Sequence, residues 1–260
     1  MMRIVTPSEA AEAQGDGFSA SRAPAHIPVL TLTGAYHTTL VGYLLKHVLE
    51  QAGLTVGLAS REGRYVKDVR EMEGDATGPN SIQALLADPR LDLAVLETRP
   101  GRDFDEPLGY DCADVAVLLT LQTVPIYQAE LAYHAWRVVE RVRPGGTLIL
   151  NADDGQLVRL MQMLPDEPRR DVVLFSVESN SLVLRTHLKA GGRAYLVRQN
   201  WLVEASGDKQ LQLAPLESEA AANLVLTLQP PHILAAVAAS RAFLSPEQIS
   251  SALSTFSQMT

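Results

Sequence analysis

Residues 33–39, which read Thr-Gly-Ala-Tyr-His-Thr-Thr, have the layout of a phosphate-binding loop. They follow an apolar run at 27–32 and precede an amphipathic run that extends from residue 39 to about residue 52. A glycine-bearing turn between a strand and a helix wraps phosphates with backbone N–H groups, and a neighbouring lysine adds positive charge. The usual pattern has a second glycine and a lysine directly before Thr or Ser. Here His37 alone takes that place, and the segment is one residue shorter.

The candidate nucleotide-binding residues of this loop are Thr33, Gly34, His37, Thr38 and Thr39. Two interpretations of His37 remain open. In one, it begins the helix and binds nothing. In the other, it is a protonatable substitute that still touches a phosphate. In either case a mostly neutral imidazole replaces a permanent cation, which removes most of the electrostatic stabilisation that such sites need.

Composition restricts the class of partner. The chain has 260 residues and a mass of 28.2 kDa, enough for one large or two modest domains with a core. Its net charge of −8 and its low aromatic content of 5% argue against nucleic acid as a partner. No apolar run is long enough to span a membrane. A single cysteine, Cys112, excludes an intramolecular disulfide and favours a cytoplasmic location.

After residue 26, apolar runs alternate with helical patterns. We predict strands at 29–33, 54–59, 93–98, 115–121 and 147–151. We predict helices at 39–51, 81–87, 129–142 and 156–163, with Gly53 and the Pro-Gly-Gly of 144–146 as stop signals. Alternation of this kind predicts an α/β fold, a mostly parallel sheet with helices on both faces.

From residue 171 the pattern changes to short strands, predicted at 172–176, 181–188, 193–197, 201–204 and, as an edge strand, 224–228. Helices at 231–243 and 246–256 complete the chain. We therefore expect a flexible N-terminal arm at 1–26 that is not a signal peptide, and one α/β domain at 27–260 with a small β-rich insertion at about 171–228.

Several ordered motifs resemble the central domain of the Mur ligase superfamily, and within it the Mur-ligase-like domain of cyanophycin synthetases. The similarity covers about residues 28–256. The matching segments are 74–81 (GDATGPNS), 86–98 (LADPRLDLAVLET), 108–111 (LGYD), 143–146 (RPGG), 151–154 (NADD), His187 with 191–194 (GGRA), and 234–239 (LAAVAA).

The resemblance implies an enzyme that uses ATP to phosphorylate a carboxylate, after which an amino-acid nitrogen displaces the phosphate. Such chemistry needs a triphosphate cradle and Mg²⁺ on hard oxygen ligands. By position, Glu97 matches the family's Mg²⁺-binding glutamate, and Thr38 is the second metal candidate. In the family an ATP-grasp domain precedes this domain in cyanophycin synthetase, and a closing domain follows it. We expect neither neighbour within this chain.

The chain departs from the family at further positions of the same site. Val124-Pro125 stands where the family has Asp-His, and Ala135 where it has a lysine. The family's Ala-Arg-Gly-Gly after the glutamate is replaced by Arg99-Pro100-Gly101-Arg102. Together with the altered loop, these replacements point to a loss of catalytic function.

The remaining candidates form a possible ligand loop and its surroundings. Asp75, Thr77 and Ser81 place oxygens on a Gly/Pro-shaped loop that either holds a small ligand or caps the helix at Ser81. Asn151 is a further candidate, and the Asp153-Asp154 pair after it either contacts nucleotide or caps the next helix. His187 is either a ligand or a half-buried histidine of the β-sheet.

We therefore expect a catalytically degenerate ligase-like domain, a pseudoenzyme kept as a binding, regulatory or partner-subunit module. The partner is expected to be a second copy, in a homo-oligomer, or a full-length ligase of the same superfamily. The alternative is an ATP-dependent amide-bond ligase that uses Thr38, Glu97 and a displaced cation such as Arg99 or Arg102, completed by another chain. A third possibility is a nucleotide or peptide-like ligand bound without turnover. No cofactor is expected in the degenerate case, and Mg²⁺ with ATP if the site still binds.

Overall fold

A sheet of twelve strands forms the centre of the computed structural model, which describes residues 3–5, 27–101, 106–216 and 228–255. In chain order the strands are β1 Arg3–Val5, β2 Val29–Thr33, β3 Val56–Ser60, β4 Gly63–Val66, β5 Val69–Glu73, β6 Leu93–Glu97, β7 Ala113–Leu118, β8 Val142–Asn151, β9 Asp171–Ser176, β10 Arg193–Arg198, β11 Trp201–Ser206 and β12 Lys209–Pro215. The order across the sheet is β1-β12-β11-β10-β9-β8-β7-β2-β6-β3-β4-β5.

Strand direction divides this sheet into a parallel centre and antiparallel margins. All neighbours from β10 to β3 are parallel, whereas β3, β4 and β5 form one antiparallel meander and β10, β11 and β12 another. The predicted α/β class with a mostly parallel sheet is therefore confirmed. The strands of the β-rich part continue the same sheet.

Helices cover both faces of the sheet: α1 Thr38–Gln51, α2 Pro79–Leu86, α3 Pro125–Glu140, α4 Gly155–Gln162, α5 Leu182–Lys189, α6 Pro230–Ser240 and α7 Pro246–Leu253. One apolar core joins the sheet to α1, α6 and α7, and a second joins it to α2, α3, α4 and α5. Central strand β2 supplies both, because Leu30 and Leu32 point to the first core and Val29 to the second. Among the described residues, no helix has the length and apolar composition needed to cross a membrane.

The segment 181–188, predicted as a strand, is helical, so that prediction was wrong. The hydroxyl of Ser181 accepts a hydrogen bond from the Leu184 N–H at 3.1 Å and caps α5. Leu184 packs into the second core, with Val183 and Leu188 against it. A cap followed by apolar residues at helical spacing outweighs the β-propensity of this short segment.

Three further details differ from the sequence-based prediction. The hairpin β4–β5 was not predicted, because all residues of β5 are exposed and show no apolar alternation. Strand β12 was not predicted either. The Pro-Gly-Gly of 144–146 does not end a helix: α3 ends at Glu140, and the three residues lie within β8, where the register to β7 shifts. The predicted edge strand 224–228 falls outside the described residues except for Leu228.

The predicted N-terminal arm of residues 1–26 also lies largely outside the described residues. Within it, the backbone of Arg3–Val5 pairs in parallel with β12. The arm therefore stays a prediction for the rest of its length.

Candidate functional site

The phosphate-loop candidate connects the carboxyl end of β2 to the start of α1. It packs tightly on the end of β7, because the Ala35 N–H donates to the Thr120 carbonyl at 2.9 Å and the Leu119 N–H donates to the Thr33 carbonyl at 3.0 Å. A side chain at Gly34 would place its Cβ 3.0 Å from the Leu119 Cβ. Glycine at this position thus serves close packing between two strand ends. One of the loop's N–H groups is already used by the protein itself.

His37 is the N-cap residue of α1 and has a left-handed backbone, with φ 61°. Its ring lies against that of His232 in the first turn of α6, with 4.5 Å between ring centroids. Burial, with a smaller contribution from His37, lowers the pKa of His232 to about 4. The Nδ1 atom of His232 is buried and has no hydrogen-bond partner. This neutral imidazole therefore brings no positive charge to the loop.

Glu97 is the carboxylate of the site. It lies at the end of β6, is only 1% exposed, and accepts hydrogen bonds from the Thr38 hydroxyl at 2.6 Å and the Thr39 hydroxyl at 2.8 Å. The Arg61 N–H adds a third at 3.1 Å. The structure thus brings together three of the residues predicted from the sequence.

The donor set fits Mg²⁺ in part. The carboxylate of Glu97 and the hydroxyl of Thr38 are hard oxygen ligands, and Mg²⁺ is commonly held by one or two carboxylates together with water and phosphate oxygens. Across the described ranges, no cluster of three or more His, Cys, Asp or Glu side chains is placed to enclose a metal ion. The residues therefore suit Mg²⁺ carried in with phosphates, and not a metal held by protein alone.

The loop at 33–39 fits phosphate less well than Thr38 and Glu97 fit Mg²⁺. From residue 27 to residue 45 the sequence has no Lys or Arg. Lys46, the first after the loop, is only 4% exposed and bonds to Glu50 on the same helix at 2.7 Å. Lys46 and Glu50 both lie within α1, outside the loop. The loop consequently offers backbone N–H groups and a helix N-terminus, but no fixed cation from its own segment.

Asp154 holds the end of β7 in place beside the loop. It caps α4 through the N–H groups of Gln156 and Leu157, and its second oxygen accepts from the Thr120 hydroxyl and the Leu121 N–H. The capping interpretation of this acidic segment therefore holds for Asp154. The sequence did not reveal its second set of partners.

Asn151 and Asp153 make structural contacts of the same kind. The Asn151 side-chain amide donates to the Leu119 carbonyl at 3.0 Å, and its oxygen accepts from the Asp153 N–H. The Asp153 carboxylate accepts from the Ser176 hydroxyl and from the Val177 N–H. Both residues thus tie together the carboxyl ends of β7, β8 and β9.

A polar cavity of about 480 Å³ lies on the α3 side of the site, next to the end of β6. It is lined by Asp75 and Thr77 of the predicted ligand loop, by Arg99 after β6, and by His134 and Arg137 of α3. The Thr77 hydroxyl and N–H donate to Asp75, which also pairs with Arg99 at 3.2 Å. The cavity therefore presents groups of both charges to a small polar ligand.

Ser81 and His187 lie elsewhere. Helix α2 begins at Pro79 with Gly78 as its N-cap, so the capping alternative for Ser81 does not hold; the Ser81 hydroxyl contacts the Met72 sulfur at 3.5 Å. His187 lies on α5, so the alternative that placed it in the β-sheet was wrong. Its ring bonds to the Arg193 carbonyl at 3.1 Å, and burial lowers its pKa.

The positions at which the chain departs from the family lie at the start and in the middle of α3. Val124 is the N-cap of α3, and Pro125 is its first residue. Ala135 is fully buried in the second core. Its neighbour His134 lines the polar cavity and contacts the Thr98 hydroxyl at 3.3 Å. Nothing in the sequence around His134 indicates this position. Arg102 falls outside the described residues.

Acid should weaken the fold through the buried histidines. Burial, with a smaller contribution from Arg137, lowers the pKa of His134 to about 4, and that of His232 is also about 4. A histidine of the unfolded chain titrates near 6.5, so the unfolded state binds protons first as the pH falls. The stability that the neutral rings contribute is present above about pH 6.5 and is lost between 6.5 and 4. We expect about 1–2 kcal/mol per histidine at pH 5.

Urea unfolding at pH 7.5 and pH 5 measures this effect, with His134→Gln as the comparison. The variant should lose less free energy of unfolding over this interval than the wild-type protein, because one titrating group is gone. An unchanged pH dependence in the variant would show that His134 is protonated in the fold.

Comparisons with known proteins agree with this geometry. No protein-family model matches the chain. Among curated proteins, it is 32% identical over 243 residues to the cyanophycin synthetase of Nostoc sp., covering 88% of this chain and 26% of that protein. It is 30% identical over 199 residues to the cyanophycin synthetase of Synechocystis sp., covering 74% of this chain and 22% of that protein. The chain thus spans about a quarter of the length of these relatives.

Solved structures of low sequence identity share the fold. A UDP-N-acetylmuramoyl-L-alanyl-D-glutamate–2,6-diaminopimelate ligase superposes with a TM-score of 0.65 at 13% identity, over 88% of this chain and 46% of the other. FolC of E. coli, solved with DHPP and ADP, superposes with a TM-score of 0.57 at 17% identity, over 90% and 57%. At these identities the likeness establishes the architecture alone.

Proposed function

Because the chain is a Mur-ligase-like domain homologous to about a quarter of cyanophycin synthetase, we propose that it serves such ligases as a binding or partner-subunit module without catalysing phosphoryl transfer itself. The observation that carries the proposal is the composition and packing of the loop at 33–39. It has no lysine or arginine of its own, and the His37 ring packs against the neutral His232 at an interplanar angle of 45°.

Phosphoryl transfer depends almost entirely on positioning and on charge. Its transition state spreads negative charge over the phosphoryl oxygens, which cations must neutralise. Mg²⁺, when bound, supplies part of that charge, and Thr38 and Glu97 are the residues that would hold it. In the usual loop a lysine supplies the remaining part. Here His37 begins the helix in that place, and the loop has no Lys or Arg.

The polar cavity supports the binding part of the proposal. Its lining combines Asp75 and Arg99 with the deeply buried His134, so a zwitterionic or amide-containing ligand would find a partner for each end. The Asp75–Arg99 ion pair and the His134 ring lie outside the loop at 33–39. A ligand can therefore be held here after the loop has lost its charge.

The alternative is an active ligase with a non-standard nucleotide site. One observation favours it: the Thr38 hydroxyl lies 2.6 Å from a Glu97 oxygen, an arrangement still suited to Mg²⁺. Such an enzyme would need a cation from elsewhere. Of the two candidate arginines, Arg99 is paired with Asp75 in the polar cavity and Arg102 lies outside the described residues. In this alternative, Arg102 or another chain would supply the missing charge.

Phosphate release from Mg·ATP separates these two functions. We expect the purified protein, supplied with amino acids or dipeptides, to release phosphate no faster than a Glu97→Gln variant. Because the substitution removes the metal-binding charge while keeping the side-chain shape, it gives the background rate. Release that exceeds this background and requires an amino acid or dipeptide would establish the ligase and end the proposal.

A further inference from the structure

The start of α3 exposes an unusually apolar surface. Residues 120–129 contain no charged side chain, in a chain of which 20% is charged. Exposed fractions reach 79% for Ile126, 57% for Tyr127, 51% for Val124 and 43% for Tyr133. Ile126 and Tyr133 are seven residues apart and therefore lie on the same outward side of the helix. These four side chains are called the α3 ridge below.

A groove runs beside the α3 ridge, between α3 and α4, with a volume of about 750 Å³. Its walls come from Pro125, Ala129, Ala132 and Trp136 of α3 and from Leu160 and Met163 on the α4 side. Met163 is 71% exposed. This α3–α4 groove is apolar apart from Gln128, Gln156 and Arg159.

Size marks this surface as a candidate interface. Aromatic side chains carry roughly 150–250 Å² each, and with areas of this order the exposed fractions of the ridge and of Met163 leave on the order of 600 Å² open. The largest apolar patch of a typical monomer covers about 300–600 Å² and is often functional. A stable interface takes about 800 Å² from each partner, which the ridge and the groove walls together approach.

The arrangement favours a second copy of the chain as the occupant. Ridge and groove lie side by side on one helix, so a two-fold axis can place the ridge of each copy in the groove of the other, the self-complementary contact that closed dimers require. Each copy carries a net charge of −8, which opposes self-association in general, so two copies approach best through a face without charge.

We propose that the chain forms a two-fold homodimer in which the α3 ridge of each copy packs into the α3–α4 groove of the other. The dimer goes beyond the proposed function, which concerns how the module serves ligases. Whether the loop binds nucleotide has no bearing on it. A monomeric protein would therefore leave the phosphate-release result unaffected, and measured phosphate release would leave the sedimentation result unaffected.

Sedimentation analysis of the full chain at micromolar concentration tests the dimer. We expect a mass of twice 28.2 kDa for the wild-type protein. Ile126→Glu should raise the dissociation constant at least about 30-fold, because it places a charge in a buried apolar contact. Met163→Glu should act in the same direction from the groove side. Both side chains are largely exposed in the single chain, so its fold should tolerate either change.

Leu182→Glu is the matched control. Leu182 is 71% exposed, like Met163, but lies at the start of α5. We expect it to leave the dimer intact. A monomeric wild-type protein, a dimer that Ile126→Glu and Met163→Glu leave unchanged, or a dimer that Leu182→Glu weakens equally would each overturn the proposal. Thermal unfolding of every variant checks that loss of the dimer is not loss of the fold.

Discussion

Replacing Gly109 by alanine should lower the free energy of unfolding by about 3–4 kcal/mol. Gly109 has φ +81°, and an added Cβ would lie 2.7 Å from the Pro79 Cα and 2.8 Å from the Pro79 carbonyl oxygen. These are backbone atoms at the start of α2, which cannot turn away as a flexible side chain would. Both the left-handed backbone and the close approach therefore demand glycine.

A Gly145→Ala variant isolates the second cause. Gly145 has a similar φ of +75°, but an added Cβ would meet nothing within 4 Å. We expect a loss of about 1 kcal/mol, the cost of the left-handed conformation alone. Urea unfolding of both variants gives the comparison. Equal losses would show that Gly109 does not pack against α2 as described. The Gly109 substitution also affects the polar cavity, because Pro79 and Leu108, the residue before Gly109, line it.

Strongly patterned segments of the fold were predictable from the sequence. The run 29–33 (VLTLT) consists of apolar and β-branched residues, and all five are buried because β2 is covered on both faces; it forms the strand at the predicted bounds. Helix α7 begins as expected at Pro246, where Ser245 and Gln248 form a capping box. In both cases local sequence and burial favour the same structure.

Weakly patterned segments were not predictable. Strand β5 lies at the sheet edge with every residue exposed, so it carries no apolar alternation to read. Helix α5 has the β-branched Val183 and Thr186 in a segment of eight residues, too short for the helical period to stand out. The secondary structure of β5 and α5 depends on their neighbours in the fold, and a single sequence does not show which segments are neighbours.

The same limit applies to the candidate site. Thr38, Thr39 and Glu97 were placed together in advance, because the carboxyl ends of parallel strands meet at one edge. His232 lies 195 positions after His37 in an alanine-rich helix, and nothing in that pattern links the two rings. Asp154 was recognisable as a cap. Its bonds to the end of β7 depend on which strands are neighbours.

We propose that the loop at 33–39 does not hold a nucleoside triphosphate. The physical basis of this proposal is the charge balance of the site. ATP brings several negative charges. The described loop meets them with N–H groups, one of which already bonds to Thr120, and with a histidine whose ring packs against that of His232. Without a fixed cation, we expect affinity at least about 1,000-fold below a micromolar site, a difference of about 4 kcal/mol.

Titration calorimetry of the purified protein with Mg·ATP measures this affinity directly, and a Glu97→Ala variant serves as the comparison. The variant removes the carboxylate that Thr38 and Thr39 contact, and with it the strongest metal ligand of the site. We predict no saturable heat up to about 1 mM Mg·ATP, and no difference between the two proteins. Micromolar binding by the wild-type protein that disappears in Glu97→Ala would contradict the account.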